Sequence, residues 1–376
     1  MKKILIFYAS YGGGHLSAAR SIKEYLENNF EDVNINLVDC MKYVNKTVEK
    51  ITTTAYNEMA KKMPWAWGKI YSKSQHGPIA SISNASNKLL ALKLNKLLQE
   101  YKPDIIISTH PFGSQMCTVL KSAGKINCKI ATVMTDYSPH DQWLVNSHLI
   151  DYFFVAHDGM KLALINKGIS KDKIFATGIP LSNRFLLHYN KKEILKEFGL
   201  QENKKTILFF AGGEFGLGKS KTYDMLKTLT ENFENIQIIA ISGRNEKMKK
   251  NFEYIVTHSH KEDSIKVLDY TTKIPELMSV SNLVITKPGG LTTTESLASG
   301  LPIIVINPIP GQEEENAEFL ESKNVAIWIR KDDNAKEIFE NLFNSPEKMQ
   351  EMKINARLLA KKNSCKDICE IILGKN

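Results

Sequence analysis

Residues 206–222 read TILFFAGGEFGLGKSKT, and two architectures compete for them. Within this stretch, GEFGLGKS (213–220) is a full match to G-x-x-x-x-G-K-[ST], the loop whose backbone amides cradle nucleotide phosphates between a strand and a helix. TILFF supplies the strand and a helix-like stretch follows, so the local context fits. A nucleotide hydrolase of this type also needs an apolar strand ending in aspartate to hold magnesium. The downstream strands end instead in AISG (240–243), LVITKPGG (283–290) and IVINPIPG (304–311). The nearest aspartate candidate, SIKVLD (264–269), is interrupted by Lys266. The stretch therefore reads better as the opening strand–loop–helix unit of a second α/β domain.

The rest of the chain supports that reading. ILIFYA (4–9), INLVD (35–39), DIIIST (104–109), KIATVMT (129–135) and YFFVA (152–156) form one set of short apolar runs separated by helical patterns. TILFFA (206–211), IQIIAIS (236–242), LVIT (283–286), PIIVIN (302–307) and VAIWI (325–329) form a second set. Continuously apolar strands alternating with helices imply parallel sheets covered on both faces. Two such sets imply two doubly wound domains, the number that 376 residues also suggest. We expect an N-terminal domain over 1–180, a linker over 181–203, a second domain over 204–355, and a C-terminal helix over 356–376 packing back on the first. The segment 41–101 breaks the rhythm as a helical insertion without an obvious strand.

Hydrophobic residues make up 43% and charged residues 24%, an ordinary globular composition that argues against disorder. The net charge of +9 is uneven: residues 1–180 carry 22 Lys and Arg against 14 Asp and Glu, leaving +8 there and +1 in the remainder. A basic N-terminal half suits an anionic partner, either nucleic acid or a membrane surface, or is simply a solvated face. No nucleic-acid recognition motif accompanies it. The insertion holds KKMPWAWGKIYSK (61–73), where Trp65 and Trp67 stand among lysines. Such a mixture fits the headgroup zone of a bilayer, although paired tryptophans also serve as core. No run reaches the roughly 18 apolar residues of a membrane span, and MKKILIFYASYGGGH reads as a first strand rather than a signal peptide. If a membrane is involved, the protein lies on it. The five cysteines form no C-x-x-C pair, so disulfides and structural zinc are not expected and a reducing cytosol is.

Three glycine-rich turns follow strands: SYGGGHLSAA (10–19), GGEFGLG (212–218) and KPGGLTTTES (287–296). Each falls at the carboxyl edge of its sheet, where open α/β folds bind ligands. Glycine admits close backbone approach, and a helix start offers free amides to a phosphate. Glu295 follows in the third turn's helix, placed either to accept hydrogen bonds from a ribose diol or to complement the helix N-terminus. PIPGQEEENAEF (308–319) sets Gln312, Glu313 and Asn316, all hydroxyl-binding types, after a further strand; an ordinary acidic first helical turn has the same look. His15, closing the first glycine turn, is either a general base or a ring that packs the turn.

Taken in order, YASYGGGHLSAA (8–19), VMTDYSPHDQW (133–143), TGIPLS (177–182), ITKPGGLTTTES (285–296) and PGQEEENAEF (310–319) resemble the diacylglycerol glycosyltransferases. That family includes bacterial processive diacylglycerol glucosyltransferases and plant monogalactosyldiacylglycerol synthases, and is related to the enzyme that adds N-acetylglucosamine to lipid I. The likeness runs over nearly the whole chain. It implies a GT-B fold, two Rossmann-like doubly wound domains flanking an interdomain cleft, with a lipid acceptor toward the first and a UDP-sugar in the second. It implies His15 as general base and Asp136 as an acid near the acceptor. It implies Glu295 on the ribose, Gln312 and Glu313 on sugar hydroxyls, and Asn316, Gly14, Gly212, Gly213, Gly289, Gly290, Leu291 and Thr292 lining the donor. His110, His140, Trp65 and Trp67 would lie on the acceptor side. One position departs: where many relatives carry arginine after GIP-x, this chain has Ser182, with Arg184 two places on.

The expected reaction is an inverting transfer of glucose or galactose from a UDP-sugar to diacylglycerol, by an enzyme lying on an anionic membrane surface at its cytoplasmic face. No cofactor is expected and, since no D-x-D occurs in the chain, no metal. A polyprenyl-linked acceptor and a GT-B-fold UDP-sugar epimerase are the alternatives, and the lysine- and tryptophan-rich insertion favours the lipid enzyme.

Overall fold

The computed structural model describes residues 1–10, 13–44, 78–211 and 219–375. Two compact units emerge, one formed by Met1–Asn183 with Lys361–Asn376, the other by Arg184–Ala360.

In the first unit the elements run β1 (Lys2–Tyr8), α1 (Gly14–Asn29), β2 (Val33–Asp39), α2 (Cys40–Val44), α3 (Pro78–Tyr101), β3 (Ile105–Ser108), α4 (Pro111–Ser122), β4 (Lys129–Val133), β5 (Tyr152–Phe154), α5 (Asp158–Asn166) and β6 (Ile174–Phe175). The sheet is wholly parallel, in the order β2-β1-β3-β4-β5-β6. Ile4, Leu5, Ile6 and Phe7 are consecutive and all fully buried. Side chains alternate faces along a strand, so both faces of β1 are covered, which is why its sequence is a continuous apolar run. The described part of the insertion is helical, in α2 and α3; residues 45–77, which include Trp65 and Trp67, lie outside the described residues.

The second unit contains α6 (Lys191–Glu197), β7 (Lys205–Phe210), α7 (Lys219–Asn232), β8 (Ile236–Gly243), α8 (Glu246–His258), β9 (Ile265–Asp269), α9 (Ile274–Val280), β10 (Leu283–Thr286), α10 (Gly290–Ala298), β11 (Ile303–Val305), α11 (Gln312–Ser322), β12 (Ala326–Trp328), α12 (Ala335–Phe343) and α13 (Pro346–Leu359). Its parallel sheet is ordered β12-β11-β10-β7-β8-β9. Ile207 and Phe209 point into one core with Phe252 and Phe339, while Leu208 points into the other with Leu277 and Met278. The stretch 181–203 carries α6, and Leu195, Phe198 and Leu200 join that second core. β9 was not among the apolar runs because Lys266 interrupts it. As the outermost strand it has one open side, and Lys266 reaches the Glu262 carbonyl there.

The chain then crosses back. α14 (Ser364–Leu373) inserts Ile368, Cys369 and Ile372 among Ile4, Ile6, Ile22 and Leu26 of the first unit. Those positions lie on one helical face, which makes the C-terminus part of the first unit's core rather than an appendage.

Candidate active site

In each sheet the connections reverse direction at one place, and ligands bind at the carboxyl ends of the strands there. In the first sheet the reversal falls between β1 and β3. Gly13 and Gly14 start α1 directly after β1, and His15 is its second residue. Thr109 and His110 follow β3, and Thr135 and Asp136 follow β4, the next strand over.

These three loops converge on one ring. His15 Nδ1 lies 2.6 Å from the Thr109 carbonyl oxygen and 3.1 Å from Thr135 Oγ1. A carbonyl can only accept, so Nδ1 carries the proton and Nε2 keeps its lone pair. Thr109 also holds the backbone of His15, its hydroxyl donating to the His15 carbonyl at 2.8 Å. Burial pushes the His15 ring down to about 4, against the upward pull of the Thr109 carbonyl, so the imidazole is neutral at physiological pH. His110 meets His15 edge-on, with ring centroids 4.6 Å apart. Its own Nδ1 accepts from the Phe112 amide at 3.2 Å and caps α4. Burial, and then the proximity of His15, hold His110 well below the ordinary histidine range.

Asp136 is half-buried and one residue past Thr135, so acid and hydroxyl share a loop. His140 is buried and caps the short turn Asp141–Leu144 through Nδ1, which accepts from the Gln142 amide at 3.1 Å. Of the two histidines expected beside the acceptor, His110 packs against His15 and His140 caps the turn that follows the Asp136 loop. Thr109 and Thr135 were not singled out in the sequence. The signal available was their place at the ends of the strands next to the glycine turn.

In the second unit the reversal lies between β7 and β10. The loop after β7, with Gly212 and Gly213, is outside the described residues. After β10, Gly289 stands at the N-cap of α10 and offers no capping side chain. The first closed helical bond there runs from the Thr293 amide to the Gly289 carbonyl, 3.0 Å. The amides of Gly290, Leu291 and Thr292 precede it and, as first-turn groups, have no partner inside the helix. Thr294 and Ser296 turn their hydroxyls back on the carbonyls of Gly290 and Thr292, at 2.7 Å each.

Glu295 sits in the second turn of this helix with no hydrogen-bond or ion-pair partner for its carboxyl among the described residues. Burial pushes that carboxyl up to about 8. Glu295 stands past the first turn of α10, where the pull of a helix N-terminus on a carboxylate has fallen off. On α11, Glu313 Oε2 accepts from the Ile309 amide at 2.6 Å, while its Oε1 stands 4.0 Å from where a Cβ on Gly289 would be. Gln312 is the first residue of that helix, after Gly311, whose φ of +94° favours glycine. Asn316 is fully buried and donates to the Pro288 carbonyl at 3.0 Å. It therefore ties α11 to the loop that opens α10. Arg184 is committed elsewhere in the unit: its Nη2 contacts Glu276 at 3.0 and 3.3 Å.

The residues after the phosphate-loop match serve as moorings. Thr222 Oγ1 accepts from Asn307 at 3.1 Å, and Lys221 Nζ donates to the Ile329 carbonyl at 2.9 Å, so α7 is pinned to the ends of β11 and β12. Asp269 ends the outermost strand and pairs with Lys249 at 2.9 Å. Among the described residues no cluster of His, Cys, Asp and Glu is arranged to hold a metal.

Two Rossmann-like units, each with helix-opening loops at the reversal of its sheet, define the GT-B class. Solved structures of that class match at fold level: MurG of Acinetobacter baumannii, TM-score 0.66 and 14% identity over all of both chains, and the S. aureus MnaA–UDP complex, TM-score 0.66 and 13% identity over 99% of this chain and 96% of that one. The family model for monogalactosyldiacylglycerol (MGDG) synthase matches residues 15–181, and that for the glycosyltransferase family 28 C-terminal domain matches 207–371. The processive diacylglycerol beta-glucosyltransferases of Bacillus pumilus (strain SAFR-032) and Bacillus cereus (strain B4264) are 33% and 32% identical over the whole of this chain, covering 95% and 94% of their own. The chain belongs to the processive diacylglycerol β-glucosyltransferase family.

Proposed function

We propose that this enzyme transfers glucose from UDP-glucose to the free hydroxyl of diacylglycerol, inverting the configuration at C1. The observation that carries the proposal is the tautomer of His15. With Nδ1–H held by Thr109 and Thr135, the only lone pair the ring presents is on Nε2. In this reading Nε2 takes the acceptor's hydroxyl proton as its oxygen attacks C1 of the sugar. The Thr109 carbonyl steadies the imidazolium so formed, and Asp136 adds negative charge from the same loop as Thr135. The bond from C1 to the diphosphate oxygen breaks, and the charge left on UDP is received by the first-turn amides of α10. Glu295 accepts the ribose hydroxyls, and Gln312 and Glu313 contact the sugar. A single displacement on an α-linked donor gives a β-glucoside, the anomer in the names of the Bacillus relatives.

The transfer is metal-independent in this proposal, because loop amides do the work of a cation on the leaving group; activity abolished by EDTA and restored by magnesium or manganese would contradict it. The enzyme works on the cytoplasmic surface of an anionic membrane. No helix among the described residues is long and apolar enough to cross one. The decisive experiment incubates purified protein with diacylglycerol vesicles and UDP-glucose, UDP-galactose or UDP-N-acetylglucosamine, and identifies products by mass spectrometry. Glucosyldiacylglycerol is expected. Absence of any glycolipid, or hydrolysis of ATP instead, overturns the reading.

A further inference from the structure

His110 is anchored more firmly than a residue that merely fills space beside His15. It is the N-cap of α4, extended at φ −141° and ψ 141°. Pro111 opens that helix and has no N–H, so Phe112 supplies its first amide, and His110 Nδ1 accepts from it at 3.2 Å. The backbone is held as well: the His110 carbonyl accepts from Ser108 Oγ at 2.7 Å and from the Gly113 amide at 3.2 Å. Gly113 lies so close to the end of β3 that an added Cβ would collide with Ser108 Oγ, and only glycine lets α4 begin there. The ring placed by these contacts stands edge-on to His15, at 79° with centroids 4.6 Å apart, and 4.8 Å from the Phe112 ring.

His15 needs such a neighbour. Its contacts with the Thr109 carbonyl and the Thr135 hydroxyl both converge on Nδ1. Held at that one atom, the imidazole can still swing about it, and the swing carries Nε2, the atom that takes the proton. A misplacement of about 1 Å at a reacting atom can cost about 10²-fold in rate. The His110 ring packs against the imidazole and stops the swing. It also stays uncharged while His15 takes up a proton: the Phe112 amide points its hydrogen at Nδ1, so a second proton could enter there only by breaking the cap. His110 is 9% exposed and keeps water off the side of His15 that it covers, part of the burial that holds His15 at about 4. Among the described residues it is the titratable group shown against His15; Asp136 shares the loop of Thr135.

We propose that His110 is a positioning residue for the transfer: its capped, uncharged ring fixes the angle of the His15 imidazole, so that Nε2 meets the acceptor hydroxyl, and shields that imidazole from water. The proposal rests on the reading of His15 as the general base.

Two substitutions in the full chain separate the ring from the cap. Asparagine is among the best N-caps but has no ring, whereas phenylalanine keeps a ring and cannot cap. Glucolipid formation from UDP-glucose and diacylglycerol in detergent micelles reads the chemistry, and thermal unfolding reads the fold. His110→Asn should lower kcat by about tenfold or more, with the KM for UDP-glucose and the Tm close to the wild type's. Its acid limb should move up from about 4 toward the 6.5 or so of an imidazole in water. His110→Phe should recover most of the lost kcat and keep the acid limb low, although loss of the cap lowers its Tm. Wild-type kcat and acid limb in His110→Asn overturn the proposal, and so do equal losses in the two variants. Losses that follow Tm with the acid limb unmoved overturn it too, because they mark a cap and nothing more. His15→Ala is measured alongside: near-wild-type transfer there would refute the general-base reading itself, whatever the His110 variants do.

Discussion

Glu295 allows the proposed donor site to be tested by proton linkage. Burial pushes its carboxyl up to about 8, whereas an unperturbed glutamate titrates near 4.3. In the ligand-free protein at pH 7 the carboxyl is therefore about one-tenth ionised, and at pH 9 about nine-tenths. A ribose diol donates its hydroxyl protons and so binds the ionised form. The observed Kd is the intrinsic one divided by the competent fraction, so UDP should bind about tenfold more weakly at pH 7 than at pH 9. Binding at pH 7 should release close to one proton, because the complex pulls the carboxyl down to its charged state. Calorimetry at pH 7 in two buffers of different ionisation enthalpy reads the proton directly, and titrations from pH 7 to 9 read the slope. The Glu295→Gln variant should bind more weakly than wild type at pH 9, with little pH dependence. Its stability should exceed the wild type's more at pH 8.5 than at pH 6. The raised pKa means that the folded state loses stability as pH rises from the unfolded value through 8, and glutamine escapes that loss. A flat Kd for the wild type, or the same slope in Glu295→Gln, would refute the diol assignment.

Other expectations follow from the same geometry. His15→Ala should lower turnover by about 10²–10⁴-fold, the usual contribution of a general base, and a loss under tenfold in a glucolipid-forming assay would move the base elsewhere. Because burial lowers that ring to about 4, the rate should fall only as pH drops toward 4, and an acid limb near 6.5 would show the ring to be unperturbed. Thr135→Val, which removes one of the two partners of Nδ1, should cut turnover by about 3–10-fold, the value of one neutral hydrogen bond, without changing the KM for UDP-glucose. Asn316→Ala should destabilise the protein by about 1–3 kcal/mol in denaturant unfolding, since the Pro288 carbonyl is left buried and unpaired. Lys219→Ala should leave transfer within about threefold, since the proposed chemistry gives this lysine no part in holding phosphate; a loss of about a hundredfold or more would restore the phosphate-loop reading.

What the sequence made legible was whatever is written within a few consecutive residues. Strands buried on both faces appear as unbroken apolar runs, so β1, β3, β7, β8 and β10 could be read directly, and with them the positions of the glycine turns. β9 could not, because an edge strand tolerates Lys266, and neither could the two-residue β6. Site geometry was legible only as residue types. His15 stood out by following three glycines, but its tautomer depends on a carbonyl 94 residues away. Thr109 and Thr135 look like any threonines at strand ends. Asn316 was grouped with hydroxyl-binding residues by type, and its bond to the Pro288 carbonyl, 28 residues away, is not written in that type.

The phosphate-loop match at 213–220 shows why local agreement is weak evidence for a function. A strand, a glycine turn and a helix are the opening of any doubly wound unit, so the pattern's glycines report geometry common to the whole class. What distinguishes a hydrolase is contributed from elsewhere in the sheet, chiefly a magnesium-holding aspartate. Here the candidate Asp269 is on the outermost strand, paired with Lys249, and the helix after the match is moored by Lys221 and Thr222 to the ends of β12 and β11. The features suited to phosphate lie three strands later in sequence but next door in space, at β10, where first-turn amides with no partner inside their helix and a carboxyl with none among the described residues share one helix. Adjacency in the sheet, with β10 beside β7, makes a loop about 75 residues downstream the better candidate for the phosphate site, and no pattern confined to eight residues can report it.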